Sequence, residues 1–308
     1  MTTDKLQSSA RLGFIGMDAM GSRMAGRLLA AGYDLTVCNL YNREWGHTSM
    51  LEQRGAKVTA TPRELASRAD IMLSSVSSVA DDAAVENVMT GSDGVLTSAR
   101  PGSTFIEMST TSLTTSRRLY EVALGKGVSV LDSPVSGSTP QAEQGQLVIF
   151  VGGEKTVYDR CQPILGVLAR ETFYMGPSGS GMTMKLCVNT LLGLGMQALA
   201  EAITLGLKAG LQRERLLEVL GGTVVLSSSQ KSKLENVLKG AYPPTFPLRL
   251  MFKDFGLILD TAMHLAAAMP ITAAAQQVCA AEFARQSAAG RDEDFSSVVH
   301  TMEQMAEV

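Results

Sequence analysis

Lys185 and Asn189 stand four residues apart in the stretch Gly176-Pro-Ser-Gly-Ser-Gly-Met-Thr-Met-Lys185-Leu-Cys-Val-Asn189. The spacing predicts one helix face shared by an ammonium and a carboxamide. Two such donors can hold one substrate oxygen, which is an arrangement for acid–base work. The opposing reading is an ordinary solvated helix lysine. Leu186, Val188, Leu191, Leu192, Leu194 and Met196 surround Lys185, however, so much of this helix is expected to be buried. A buried lysine needs a reason, because burial drives its pKa toward neutrality and lets it give a proton in one direction and take it in the other.

The glycines at 176, 179 and 181 form the turn that opens this helix. An earlier glycine turn lies near the start of the chain. Arg11 to Ile15 reads as a short strand running into Gly16-Met-Asp-Ala-Met-Gly21, followed by a helix over Met20–Ala31, a stop at Gly32 and a strand over Asp34–Asn39. Strand, glycine turn, helix, strand is the first βαβ of a dinucleotide-binding fold, with Gly16, Met17, Asp18, Ala19, Met20 and Gly21 as the turn that meets the pyrophosphate. Asp18 stands where a glycine normally lets the backbone approach that group, and its charge should repel an anionic ligand. The rival reading is a strand-to-helix turn with no ligand. Asn39 ends the second strand, where it can bond a ribose hydroxyl without repelling a 2′-phosphate. Arg43 could pair with such a phosphate, or be a solvated residue entering the next helix. NAD and NADP both stay open, with a lean to NADP.

Strand and helix patterns then alternate. Strands are expected over Lys57–Thr59, Ile71–Ser74, Thr104–Glu107, Ser129–Leu131, Leu147–Val151 and Thr172–Met175, and helices over Pro62–Arg68, Ala80–Met89, Thr114–Leu124 and Lys155–Ala169. Val76 follows one strand end and Thr110 another, on the edge of an open parallel sheet where ligands bind. Their Ser/Thr neighbours, Ser77 among them, also suit helix capping. Past Gly176 the strands cease, and helices are expected over Met182–Ala209, Arg213–Leu220, Gln230–Leu238, Leu248–Ala268 and Ile271–Ala288. The fold class is α/β: a loose tail over 1–10, a Rossmann-type doubly wound sheet over 11–175, and an all-helical domain over 176–308 joined by a long helix.

At 308 residues the chain has room for two domains. A net charge of −3 provides no basic surface for nucleic acid or membrane. Cys38, Cys161, Cys187 and Cys279 are scattered, as are His47, His264 and His300, so neither a disulfide framework nor a metal spacing is expected. No uncharged apolar run approaches about 20 residues and the first ten are polar, which makes the cytoplasm the expected location.

Together these motifs resemble the β-hydroxyacid dehydrogenase family, which includes 3-hydroxyisobutyrate dehydrogenase, tartronate semialdehyde reductase, threonate dehydrogenases and glyoxylate/succinic semialdehyde reductases. Four segments carry the resemblance, in order from Gly13 to about Val299. They are Gly13-Phe-Ile-Gly16 with Met20-Gly21; Asp132-Ser-Pro-Val-Ser-Gly137; the Gly176 to Gly181 turn with Lys185 and Asn189; and Phe246-Pro-Leu248 with Lys253-Asp254. The resemblance implies hydride transfer between NAD(P) and a small 3-hydroxy acid or its semialdehyde, without a metal. It implies Lys185 as general acid/base, Asn189 orienting the substrate, Ser136 and Gly137 holding its carboxylate, and Thr110 beside the nicotinamide. Lys253 is implied to reach back to the cofactor, with Phe246 and Asp254 lining the site. Ser138 departs from the family's second glycine, and Asp18 from its middle one.

Two alternatives stand beside this reading: an imine-reducing NADPH enzyme on the same fold, and a dinucleotide-binding homologue impaired by Asp18. Apolar runs such as Leu191 to Met196 and Leu265 to Met269 exceed one core face, so a homodimer or homotetramer through the helical domain is expected, acting on a small carboxylate.

Overall fold

The computed structural model describes residues 10–40, 46–76 and 81–308; Arg43 and Ser77 lie outside them, as does nearly all of the expected tail. Six parallel strands, β1 (Arg11–Ile15), β2 (Asp34–Cys38), β3 (Lys57–Thr59), β4 (Ile71–Ser74), β5 (Thr104–Glu107) and β6 (Ser129–Asp132), lie in the order β3-β2-β1-β4-β5-β6. Beyond β6, β8 (Leu147–Gly152) runs antiparallel to β6 and to the short β7 (Val135–Ser136), and β9 (Ala169–Gly176) runs parallel to β8. The order reverses between β1 and β4, the switch point where such sheets open a crevice.

Successive residues of the central strands serve opposite faces, as the pleat requires. Phe14, Leu73, Ile106 and Leu131 enter one core with Met24 and Leu28 of helix α1 (Gly21–Ala30). Ile15, Met72, Phe105 and Val130 enter the other, with Leu65 of α3 (Pro62–Arg68), Val88 of α4 (Asp81–Thr90) and Leu119 of α5 (Leu113–Leu124). Burial on both faces explains why these strands read as continuous apolar runs.

Short elements escaped the sequence reading, three of them beside the sheet. Helix α2 (His47–Gln53) buries only Leu51, α6 (Thr139–Gln144) only Ala142, and β7 has two residues. None carries enough apolar periodicity to announce itself. Helix α7 (Lys155–Leu168) completes this part of the chain.

The chain divides into two compact units, Met1–Lys185 and Leu186–Val308, and the division falls inside the 29-residue helix α8 (Ser180–Lys208). By length and a mean hydropathy of 1.4 this helix could cross a bilayer. Its uncharged run ends at Lys185 and Glu201, and Leu186, Met196, Leu199 and Ile203 are buried in a protein core, so its apolarity serves packing.

In the second unit α8 is joined by α9 (Arg213–Gly222), α10 (Ser228–Lys231), α11 (Leu234–Lys239), α12 (Leu248–His264), α13 (Pro270–Ala288) and α14 (Val298–Ala306). Gly193 lets α8 and α12 close up: a Cβ there would lie 2.4 Å from Phe255 and 2.7 Å from the Met251 sulfur. The single helix expected over Gln230–Leu238 is two, because Lys233 turns its ammonium inward to Asp294, 2.7 Å away and fully buried. The C-terminal α14 was not foreseen.

Candidate active site

The crevice side of the first unit is built around two glycines that accept no side chain. Gly16 has φ +94°, and a Cβ there would sit 2.0 Å from the Ser75 carbonyl oxygen; one on Gly21 would sit 2.0 Å from the Gly16 oxygen. So tight a turn aims the start of α1 at the carboxyl edge of the sheet, the geometry that receives a dinucleotide diphosphate.

Asp18 sits in this turn as a helix cap. Its backbone oxygen accepts the Ser22 N–H at 3.0 Å, and its Oδ1 accepts from Met20 N at 3.0 Å and Gly21 N at 2.8 Å. Its Oδ2 is buried without a hydrogen-bond partner. The glycine frame therefore fits a dinucleotide, while two of the helix's leading N–H groups already serve a carboxylate. Met17 is 1% exposed and packs into the core, which leaves only its backbone for a ligand. Ala19, Met20 and Asn39 are half-buried.

The ends of β4 and β5 are tied together by a network that the sequence reading missed. Buried Glu107 accepts from the Ser74 hydroxyl and, at 2.7 Å, from the Ser109 N–H; the Ser109 hydroxyl accepts the Val76 N–H at 2.9 Å. The next residues, half-buried Thr110 and buried Thr111, follow this knot, and the Thr111 N–H donates to the Met182 sulfur on α8 at 3.3 Å. An acidic residue closing an otherwise apolar strand was the available signal.

Asp132 anchors α8. It is 2% exposed, and its two oxygens accept from Gly179 N and Met182 N, each at 2.8 Å. Gly181 is required there, since a Cβ would come within 2.4 Å of the Asp132 carbonyl oxygen and 2.5 Å of that of Phe150. This carboxylate fixes the first turn of the helix whose next turns carry half-buried Lys185 and fully buried Asn189. Asp132 was visible only as a motif's first letter, because its partners are 47 and 50 residues away.

Burial pushes the Asp132 carboxyl up to about 6, against the pull of the Gly179 and Met182 N–H groups. The folded state then keeps a proton that the unfolded chain releases between about pH 4 and 6. This group's contribution to stability falls as pH rises through that window and is level above it. We expect the stability difference between wild type and Asp132→Asn, from denaturant unfolding at a series of pH values, to drop by roughly 3 kcal/mol over the window. A difference independent of pH would show that the Asp132 carboxyl titrates as it does in the unfolded chain.

Ser136 and Gly137 follow, with Gly137 at φ +132° packed against Leu147 and Gln141. Ser138 binds Gln141 Oε1 through both its N–H, at 3.0 Å, and its hydroxyl, at 2.8 Å, so the departure at this position begins α6.

In the second unit Asn189 donates from Nδ2 to Asp254 Oδ2 at 2.5 Å, and Lys253 Nζ lies 3.1 Å from Asp254 Oδ1. The expected amide donor is thereby committed to Asp254, while the buried Asn189 carbonyl oxygen has no hydrogen-bond partner. Phe246 packs edge-on to Phe295 at 5.6 Å, its N–H held by Asp294 at 3.0 Å.

Sequence and structure comparisons identify the family. The profile of the NAD-binding domain of 6-phosphogluconate dehydrogenase matches residues 11–176, and that of the NAD-binding region of NADP-dependent 3-hydroxyisobutyrate dehydrogenase matches 179–302. The chain is 34% identical to 2-(hydroxymethyl)glutarate dehydrogenase of Eubacterium barkeri over 98% of both chains. It is 35% identical to glyoxylate/succinic semialdehyde reductase 1 of Arabidopsis thaliana over 94% of this chain and 98% of that one. The crystal structure of 3-hydroxyisobutyrate dehydrogenase from Salmonella typhimurium superposes with a TM-score of 0.82 at 27% identity, covering 95% of this chain and 99% of the other. These matches define an NAD(P)-dependent oxidoreductase. The chain belongs to the β-hydroxyacid dehydrogenase family. An imine reductase from Myxococcus stipitatus, at 19% identity, shares the fold alone.

Proposed function

We propose that the enzyme interconverts a small 3-hydroxy acid and its semialdehyde, with Lys185 moving the proton on the substrate oxygen. The observation that carries this reading is the helix α8, pinned at its first turn by Asp132, with Lys185 and Asn189 one turn apart on it. The nicotinamide supplies or accepts the hydride. Lys185 donates a proton to the aldehyde oxygen in reduction and removes one from the alcohol in oxidation. Asn189, braced by Asp254 and Lys253, orients the substrate beside Lys185. Ser136 and Gly137 hold the substrate carboxylate, with backbone approach at Gly137 requiring no bulky side chain, and Thr110 stands beside the nicotinamide. Asn39 and Arg43 favour NADP.

Relatives named for succinic semialdehyde, glyoxylate and 2-(hydroxymethyl)glutarate mark the substrates to try first. Turnover of such carboxylates with NADPH or NADH, followed at the nicotinamide absorbance, is the test. Turnover of imines alone would overturn the reading.

The helical unit leaves Leu191, Leu205, Met263 and Ile271 each about 70% exposed or more, which favours self-association through this unit. The expected result is a dimeric or tetrameric mass in solution, and a monomer at micromolar concentration would refute it. The four free thiols suit a reducing compartment such as the cytoplasm.

A further inference from the structure

The Asp18 carboxylate does for the first turn of α1 what a bound phosphate does in such folds: it accepts two leading N–H groups and places negative charge at the positive end of the helix. We propose that Asp18 is an internal occupant of the phosphate cradle, so that a dinucleotide binds by displacing its carboxylate. The proposal rests on the family's use of NAD(P) and concerns how this chain meets it.

Three observations support displacement over a passive cap. The capped state is incompletely satisfied, since Asp18 Oδ2 is buried without a partner, and that lowers the cost of turning the side chain out. The backbone requires no rearrangement: among the described residues only Ala266 and Glu307 are non-glycines with left-handed φ, so Asp18 sits in ordinary geometry and a side-chain rotation frees both N–H groups. Finally, Gly16 and Gly21 retain the close backbone crossing that the cradle needs, as though only its middle position had been reassigned.

Once displaced, the carboxylate remains near the diphosphate and repels it. Wild-type affinity should therefore be reduced twice, by competition and by charge, and the second effect should weaken as salt screens it.

The experiment is a calorimetric titration of wild type, Asp18→Gly and Asp18→Asn with inorganic pyrophosphate, NADH and NADPH, at low and high salt. Asp18→Gly, which restores the usual residue, should bind each ligand roughly tenfold more tightly than wild type at low salt. Asp18→Asn keeps an acceptor of similar size without the charge and should fall between, about threefold tighter. High salt should narrow both gaps. Equal or weaker binding of pyrophosphate by Asp18→Gly would overturn the proposal. If the three proteins bind pyrophosphate in the expected order but none binds a dinucleotide, the cradle assignment stands and the cofactor reading fails.

Discussion

Replacing Lys185 by alanine is expected to lower turnover by roughly 10²–10⁴-fold, the loss typical of removing a positioned acid/base, while cofactor affinity changes little. The expectation follows from where the residue sits. Lys185 is five residues past the Gly176–Ser180 turn, just over one helical turn beyond the point where Asp132 holds the Gly179 and Met182 N–H groups, so its backbone has little freedom. A lysine placed this rigidly can meet the same oxygen in every cycle. Arginine should not rescue either direction, because its guanidinium stays protonated and cannot take a proton from the alcohol. Steady-state kinetics on a semialdehyde and its 3-hydroxy acid, with the dinucleotide dissociation constant measured separately, decides the matter. An alanine variant that keeps most of its turnover would leave Lys185 a structural residue.

The second large effect is expected at Asp254, and it should appear first in stability. Asp254 is 2% exposed and holds two partners at once, the Asn189 amide at 2.5 Å and the Lys253 ammonium at 3.1 Å. Asp254→Ala leaves a buried amide and a nearly buried ammonium without it, and removal of one member of such a pair costs about 3–5 kcal/mol. Asp254→Leu should do no better, because filling the space does not give the buried Asn189 amide an acceptor. Asp254→Asn retains an acceptor and should lose less. Hydrogen exchange of the amides in the helical unit is the appropriate readout, since a chain with two units need not unfold in one step. Protection in Asp254→Ala equal to wild type would mean that the Asn189 amide finds another acceptor.

The fold was largely legible because its elements obey local rules. The strands Lys57–Thr59, Ile71–Ser74 and Thr104–Glu107 and the helix Pro62–Arg68 have the expected bounds. Most are short strands rich in β-formers and one is a proline-started helix, bounded by clear breakers. What stayed hidden is what acts at a distance. Nothing near Asp132 points to a helix about 50 residues later, and nothing near Asn189 points to a carboxylate 65 residues on. Such pairings are set by how β6 and α12 come to rest, which periodicity does not encode. Asp18 is the instructive middle case. Against a glycine pattern it is a defect, yet an aspartate just ahead of a helix is also a favoured cap, and in the folded protein it takes two N–H groups.

The anchoring of α8 also orders events in time. As the chain leaves the ribosome, the whole sheet can be present while Asp132, buried at the end of β6, still lacks its donors, because they lie at residues 179 and 182. The nucleotide-binding half is thus not closed until the opening turn of the next helix has been synthesised, and that helix is the one on which the other half is built. Vectorial synthesis then delivers the seed of the second unit as the last piece of the first.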